Sequence, residues 1–577
     1  MRDVIRSLIF TSAVATVPLL SASQVSAQTV FPNDVQQSCP VSADLFNSWI
    51  TLDSVKAVGT VGPVYDTVSG LPYIFPPDGP DFPDAAVNTD CDFYKWGSQM
   101  FLWLTSTVTD TATMPNPVSP TTAETNFVFT SEFFYDLETN DQGQLTLGQQ
   151  GPQNNTALPM AVRDLKSQDS GALIPVDAEG NSQAGGGGVL ISQAANNVTK
   201  DSSLVYYGVF TNRVYGYFLN LAGVDTSFPF PNDGASVCIN ILHGLLGGYA
   251  KLDEVSVALF VNYCDPFAHD PKIADGIEQL KAKTKMSDLA ALSTSATGII
   301  PSLETAIDYL SMVVELKTSW VRADSLKNPE RHIRQMANVY DYTSTSDTLW
   351  TRSGVSQEPV ELALVGMHIV GTVKDHPENV WVTIEHVDNA PNAGYPYLDT
   401  DGNVQLTTET VTAPNGNWLF SDGTFETFIT ERAVVQSSGN IAAKTGQTIG
   451  PVNVNRMVAW GNPNSQDVMS QSNRNADLNS QIISMNATVI QNVTGILNSD
   501  PRANYFVSGA TWTKNGQLPV TGDESFITGS TMSANTTMET FHQELNCFSC
   551  HTNSGSKPVS ISHLFQDLQT TLPKVSE

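Results

Sequence analysis

Cys547-Phe548-Ser549-Cys550-His551 is the run in this 577-residue chain whose residue types and spacing specify one chemistry. Two thiols three positions apart stand about one helical turn apart, so both reach the vinyl groups along one edge of a porphyrin. The imidazole that follows falls beneath the ring, where a nitrogen can ligate iron. This is the attachment pattern of a c-type haem. It predicts one covalent haem c on Cys547 and Cys550, with His551 as proximal ligand. Two other chemistries use similar residues. Cys547, Cys550 and His563 open a zinc-finger spacing, but no second histidine follows His563. A redox thiol pair belongs in a βαβ frame, which the flanking sequence lacks.

What surrounds the motif narrows the reading. Only 26 residues follow His551, and none is methionine. A free-standing cytochrome domain needs roughly 80 residues, so the haem must lean on the rest of the chain. His563 is the expected sixth ligand, ahead of Met532, Met538 and His542. A single motif excludes the two-haem peroxidases and two-haem rubber oxygenases, which carry two.

Upstream, residues 362–385 read as a hairpin: a strand to about Val373, a loop, and a strand from Asn379 to about Val387. Alternation places Leu362, Leu364, Gly366 and His368 on one face. One register sets Glu385 opposite His368; a shift of one residue sets His386 there. Either pairing makes His368, Glu385 and His386 candidate catalytic, metal-binding or proton-relay groups. The alternative is a hydrogen-bonded structural pair. Asp399-Thr400-Asp401-Gly402-Asn403 lacks full EF-hand spacing and reads as an Asp-Gly turn. The glycines at 185–188 lack the Lys-Ser/Thr of a phosphate loop and read as a turn before a strand.

The elements that must hold these groups follow from patterning. Thr536 and Glu539 form a capping box, which predicts a helix over 537–546 leading into the motif. Amphipathic spacing predicts helices over 93–105, 273–294, 301–314 and within 476–498. Strands are expected from Phe127 and over 204–219, and a polar linker over 513–535. The fold class is α+β. A large strand-rich body with several helices, as one unit or two subdomains, spans 28–535, and a short helical haem c attachment segment spans 536–577.

Arg2, Arg6, an apolar run from Leu8 to Leu20 and Val25-Ser26-Ala27 read as a secretory signal peptide over 1–27. No later segment is apolar enough to span a membrane, so the mature protein is expected in the periplasm or outside a bacterial cell. Cys39, Cys91, Cys238 and Cys264 then suit two disulfides. Three connectivities exist, and proximity favours Cys39–Cys91 and Cys238–Cys264. Asp and Glu total 58 against 28 Lys and Arg. This charge argues against nucleic acid as a partner and suits a redox partner protein with a basic face.

Several further runs carry a resemblance: FYKWGSQMFLW at 93–103, VELKTSW at 314–320, GMHIV at 366–370 and WVTIEHVDN at 381–389. NY at 504–505, GATW at 509–512 and ANTTMET at 534–540 follow, then the haem motif. As an ensemble they resemble a family of largely uncharacterised secreted bacterial proteins with a single C-terminal haem c motif. The resemblance implies one continuous architecture and brings no established reaction. The first functional expectation is therefore electron transfer through one haem c. The alternatives are a peroxidase- or oxygenase-like haem oxidoreductase with a substrate pocket in the large body, and a binding protein that uses haem as a structural or sensory element.

Overall fold

The computed structural model describes residues 31–51, 55–58, 82–84, 89–107, 127–131, 134–139, 145–150, 158–159, 161–162, 188–194, 202–212, 268–283, 313–355, 359–373, 376–408, 413–425, 429–436, 438–461, 473–516 and 525–551. The expected leader, Cys238, Cys264, His563, the glycines at 185–187 and the helix expected over 301–312 lie outside the described residues.

Continuous runs of β-branched and aliphatic residues build one dominant antiparallel sheet, and the fold is α+β. Its centre is the long strand Val360–Val373, which pairs on one side with His376–His386 and on the other with Val314–Arg322. Such runs suit strands covered on both faces. Outward from His376–His386 lie Tyr505–Thr513 and then Ile527–Gly529. Outward from Val314–Arg322 lie Tyr206–Asn212, Phe134–Thr139 and Leu145–Gln150. A smaller four-stranded sheet joins Tyr340–Ser346, Leu349–Val355, Ile441–Ala443 and Ala433–Val435.

The helices Asp90–Leu104 and Asn473–Ile496 pack on one face of the main sheet, close to the ranges the patterning predicted. Thr89 and Asp92 close a capping box at the first of them. A Cβ on Gly97 would meet Val382 Cγ1 at 2.6 Å, so this helix seats against the sheet through a glycine. The Cys39–Cys91 disulfide, expected from proximity, ties the segment before Ala43–Thr51 to the helix's first turn with Cα atoms 5.6 Å apart. The opposite face of the sheet is covered by loops and by the chain leading to the cysteine motif.

Several expectations are corrected. Phe127 does not begin a strand: Val128–Thr130 is a 3₁₀ turn closed by hydroxyl bonds from Thr130 and Ser131, and the strand starts at Phe134. Val189 to Ile191 makes only isolated bridges. The expected helix over 273–294 is described as Pro271–Lys283, and Val314, the end of another, begins a strand. Asp399 to Asn403 is the expected turn, with Gly402 at φ +80°. Residues 525–535 are not a linker. Ile527–Gly529 extends the sheet, and Ser530, Ser533 and Asn535 are buried because their polar atoms find partners on the neighbouring strands.

Candidate functional site

Cys547–Cys550 forms a single helical turn, closed by the His551 amide donating to the Cys547 carbonyl at 3.0 Å. The helix expected over 537–546 is instead a chain of turns. Its cap lies one residue earlier than the capping box implied. Asn535 Oδ1 accepts from the Thr537 amide at 2.9 Å, and Glu539 accepts from the Asn535 amide at 2.9 Å. Phe548 packs on Trp381 and Val370, and the His551 ring lies 4.1 Å from the Trp381 ring, tilted by 45°.

The register of the sheet decides what faces this turn. Val365 forms a bulge between Leu364 and Gly366 where the central strand pairs with Val314–Arg322. The bulge inserts one residue and exchanges the faces. Leu362 and Leu364 therefore lie in the helix-side core, whereas Gly366 and His368 look to the other side. Both expected pairings are wrong for the same reason, that turn geometry rather than strand pattern sets register. His368 stands opposite Thr383, and Glu385 stands opposite Gly366. Three cross-strand rows result: Glu315, Val370 and Trp381; Lys317, His368 and Thr383; Ser319, Gly366 and Glu385.

The first two rows, with Glu539, His542, Cys547 and His551 from the terminal segment, line a cleft of about 800 Å³ including its open mouth. Within it, His368 Nε2 lies 2.8 Å from Glu539 Oε2, and His368 Nδ1 lies 3.0 Å from Thr383 Oγ1. Thr383 spends its own proton on the Ser533 carbonyl. It can therefore only accept from Nδ1, which is an N–H. Burial alone would raise the Glu539 carboxyl, but His368, the Asn535 amide and Lys317 bring it below the ordinary value. The carboxylate is the acceptor for Nε2, so both ring nitrogens are engaged, one by Glu539 and one by Thr383. Neither nitrogen has a lone pair free for iron.

The other two candidates from the hairpin are elsewhere. Glu385 is fully buried and paired with Arg456, with Nη2–Oε2 2.6 Å and Nε–Oε1 3.2 Å. It also accepts from the Thr536 hydroxyl at 2.5 Å and amide at 3.1 Å. Burial pushes this carboxyl up, yet Arg456 and Thr536 hold it below its ordinary value. With its acceptor sites used, Glu385 clamps the terminal segment to the sheet rather than facing the cleft.

His386 lies on the helix side of the strand, stacked on His332 with ring centroids 3.7 Å apart. It donates from Nε2 to the Arg331 carbonyl at 3.3 Å and accepts at Nδ1 from the Asp388 amide at 3.2 Å. Among the described residues, His332, His386 and Asp388 form one group of metal-ligating type, with atoms within 4.8 Å of one another. Their near-parallel rings, only 15° apart, do not aim their lone pairs at a common point, and Arg331 already sits 3.6 Å from Asp388. The two rings stack and bond separately to backbone groups, an arrangement different from the expected pairing of His386 with His368.

Burial raises the Cys547 thiol to about 11. A redox thiol pair needs the opposite shift. Met538 is buried in an apolar cluster and Met532 is buried outside the cleft lining, so of the weaker ligand candidates only His542 lines it. Patterning did not single out Thr383, Trp381, Lys317 or Arg456, whose roles depend on register and on a partner far along the chain. Compared with family models, with curated proteins and with solved structures, the chain finds no match.

Proposed function

We propose that this chain is an exported mono-haem c protein that carries electrons. The observation behind the reading is the Cys547–Cys550 turn with His551 on the wall of an open, largely apolar cleft. The residues present suit the group. Val370 and Trp381 offer apolar walls, Lys317 offers a cationic group, and the high-lying thiol of Cys547 suits an uncharged thioether better than a thiolate role. Cys547 and Cys550 would hold the porphyrin and His551 would be its proximal ligand. Bound there, haem c supplies one-electron redox chemistry at iron. The chain's own part is to exclude water with Phe548 and Trp381, and to hold the terminal segment through Glu385, Arg456 and Thr536. The leader-like start, the Cys39–Cys91 disulfide and the resemblance to secreted haem c proteins support export.

A second reading, a haem-dependent oxidoreductase, is favoured by the His368–Glu539 pair that lines the cleft. One set of measurements addresses both. The chain is expressed in a host that exports and matures c-type cytochromes, and haem is quantified on the denatured polypeptide. Wild type is expected to carry one thioether-linked haem, reduced to one bond in Cys547→Ala or Cys550→Ala and lost in the double variant. Full covalent loading of the double variant sinks the proposal. Prompt carbon monoxide binding by the ferrous protein would favour the oxidoreductase over the simple carrier.

A further inference from the structure

Resting on the haem reading above, we infer that His368 and Glu539 form a proton-exchange site that couples a proton to the electron carried in the cleft. Four observations converge. Both side chains line the cleft that also holds Cys547 and His551. Their 2.8 Å contact is a short path between an N–H donor and a carboxylate. The pair is partly open, at 18% and 24% side-chain exposure, so it can exchange protons with water. The rest of the pair is fixed: Thr383 and Ser533 orient the ring, and the Asn535 amide holds the carboxylate.

The titratable groups facing the pair are Lys317 and Glu315 on the neighbouring strand, and His542 and His551 on the terminal segment; Cys547, as a thioether in the loaded protein, carries no charge. An electron arriving from a protein donor lowers the local charge by one. The pair then holds its proton more tightly, and the proton comes from bulk water; oxidation releases both. The reduced state therefore binds more protons, and the midpoint potential must fall as pH rises. The limit for one proton per electron is about 59 mV for each tenfold change in proton activity.

Redox titration of the loaded protein from about pH 5 to 8, where histidines titrate, tests this. Wild type is expected to show a potential that falls with pH, approaching that limit over part of the range. His368→Asn and Glu539→Gln keep polar groups in place but remove the titrating ones, and each is expected to flatten the slope at least threefold. Redox-difference infrared spectra should lose carboxylate bands in Glu539→Gln. A flat wild-type slope, or a slope unchanged in both loaded variants, overturns the inference and leaves the haem reading standing. A chain exported without thioether-linked haem overturns that reading and this inference with it.

Discussion

The stacked imidazoles of His332 and His386 show what a single environment does to a residue type. His332 donates from Nδ1 to the Leu364 carbonyl at 3.0 Å, and both rings are buried beside Arg331. Burial lowers His332 to about 4 and takes His386 well below its ordinary value, with the charge of its neighbours adding to the effect. The fold holds both rings neutral, whereas the unfolded chain protonates them below about 6.5. More protons are then bound by the unfolded state, so stability is complete above that value and declines as pH falls toward the folded values. Between pH 7.5 and 5, His332 alone accounts for about 2 kcal/mol, from about 1.36 kcal/mol for each pKa unit between the folded and unfolded values. Urea unfolding at pH 7.5 and pH 5 should show this loss in wild type and less than half of it in a His332→Gln, His386→Gln double variant. An equal loss in both proteins would remove the explanation. The sequence marked His386 as chemically interesting but gave no sign of its partner, because His332 reaches it through space from 54 positions upstream. The cysteine motif, by contrast, lies in local spacing, and the single helical turn of Cys547–Cys550 is the local geometry that spacing implies.

At the scale of elements, the central hairpin, the strand Tyr206–Asn212 and the helices Asp90–Leu104 and Asn473–Ile496 were readable from period and composition, whereas Val314–Arg322, Tyr505–Thr513 and the strand order around the hairpin were not. Tyr505–Thr513 lies beside His376–His386 despite the long stretch of chain between them, a choice made by packing rather than local pattern. The bulge at Val365 was also hidden, since one inserted residue leaves the apolar run unbroken while exchanging its faces. That exchange puts Gly366 under the terminal segment. A Cβ there would stand 2.7 Å from Asn535 Nδ2, Ser319 Oγ and Thr537 Oγ1. Gly366→Ala must push the segment away from the sheet, and overpacking of this kind costs about 1–3 kcal/mol. Gly495, in the Asn473–Ile496 helix, has nothing within 4 Å of its would-be Cβ. Gly495→Ala should therefore stabilise by up to about 1 kcal/mol through helix propensity. Denaturant midpoints moving in opposite directions would support this account of segment docking. A neutral Gly366→Ala would mean the terminal segment is not seated as described.

The whole molecule adds a long-range field to these local devices. Removal of residues 1–27 would take away Arg2, Asp3 and Arg6, leaving 26 basic against 57 acidic side chains and a net charge of −31. Such a field raises the local concentration of cations and repels anions, and it acts on encounter more than on the bound state. Its reach is about 10 Å at 0.1 M salt and about 3 Å at 1 M. The cleft itself mixes signs, with Lys317 against Glu315 and Glu539. Discrimination between reagents should therefore come from the surface at large rather than from the cleft. Stopped-flow reduction of the loaded protein by a cationic and an anionic one-electron metal complex of similar driving force separates these sources. The cationic reagent should react at least tenfold faster at low salt, and the advantage should collapse toward unity at 1 M. Equal rates at low salt would show that the acidic surface does not guide approach to the proposed haem site. A preference that persists at 1 M would place the selectivity inside the cleft, where charges are screened far less than on the surface.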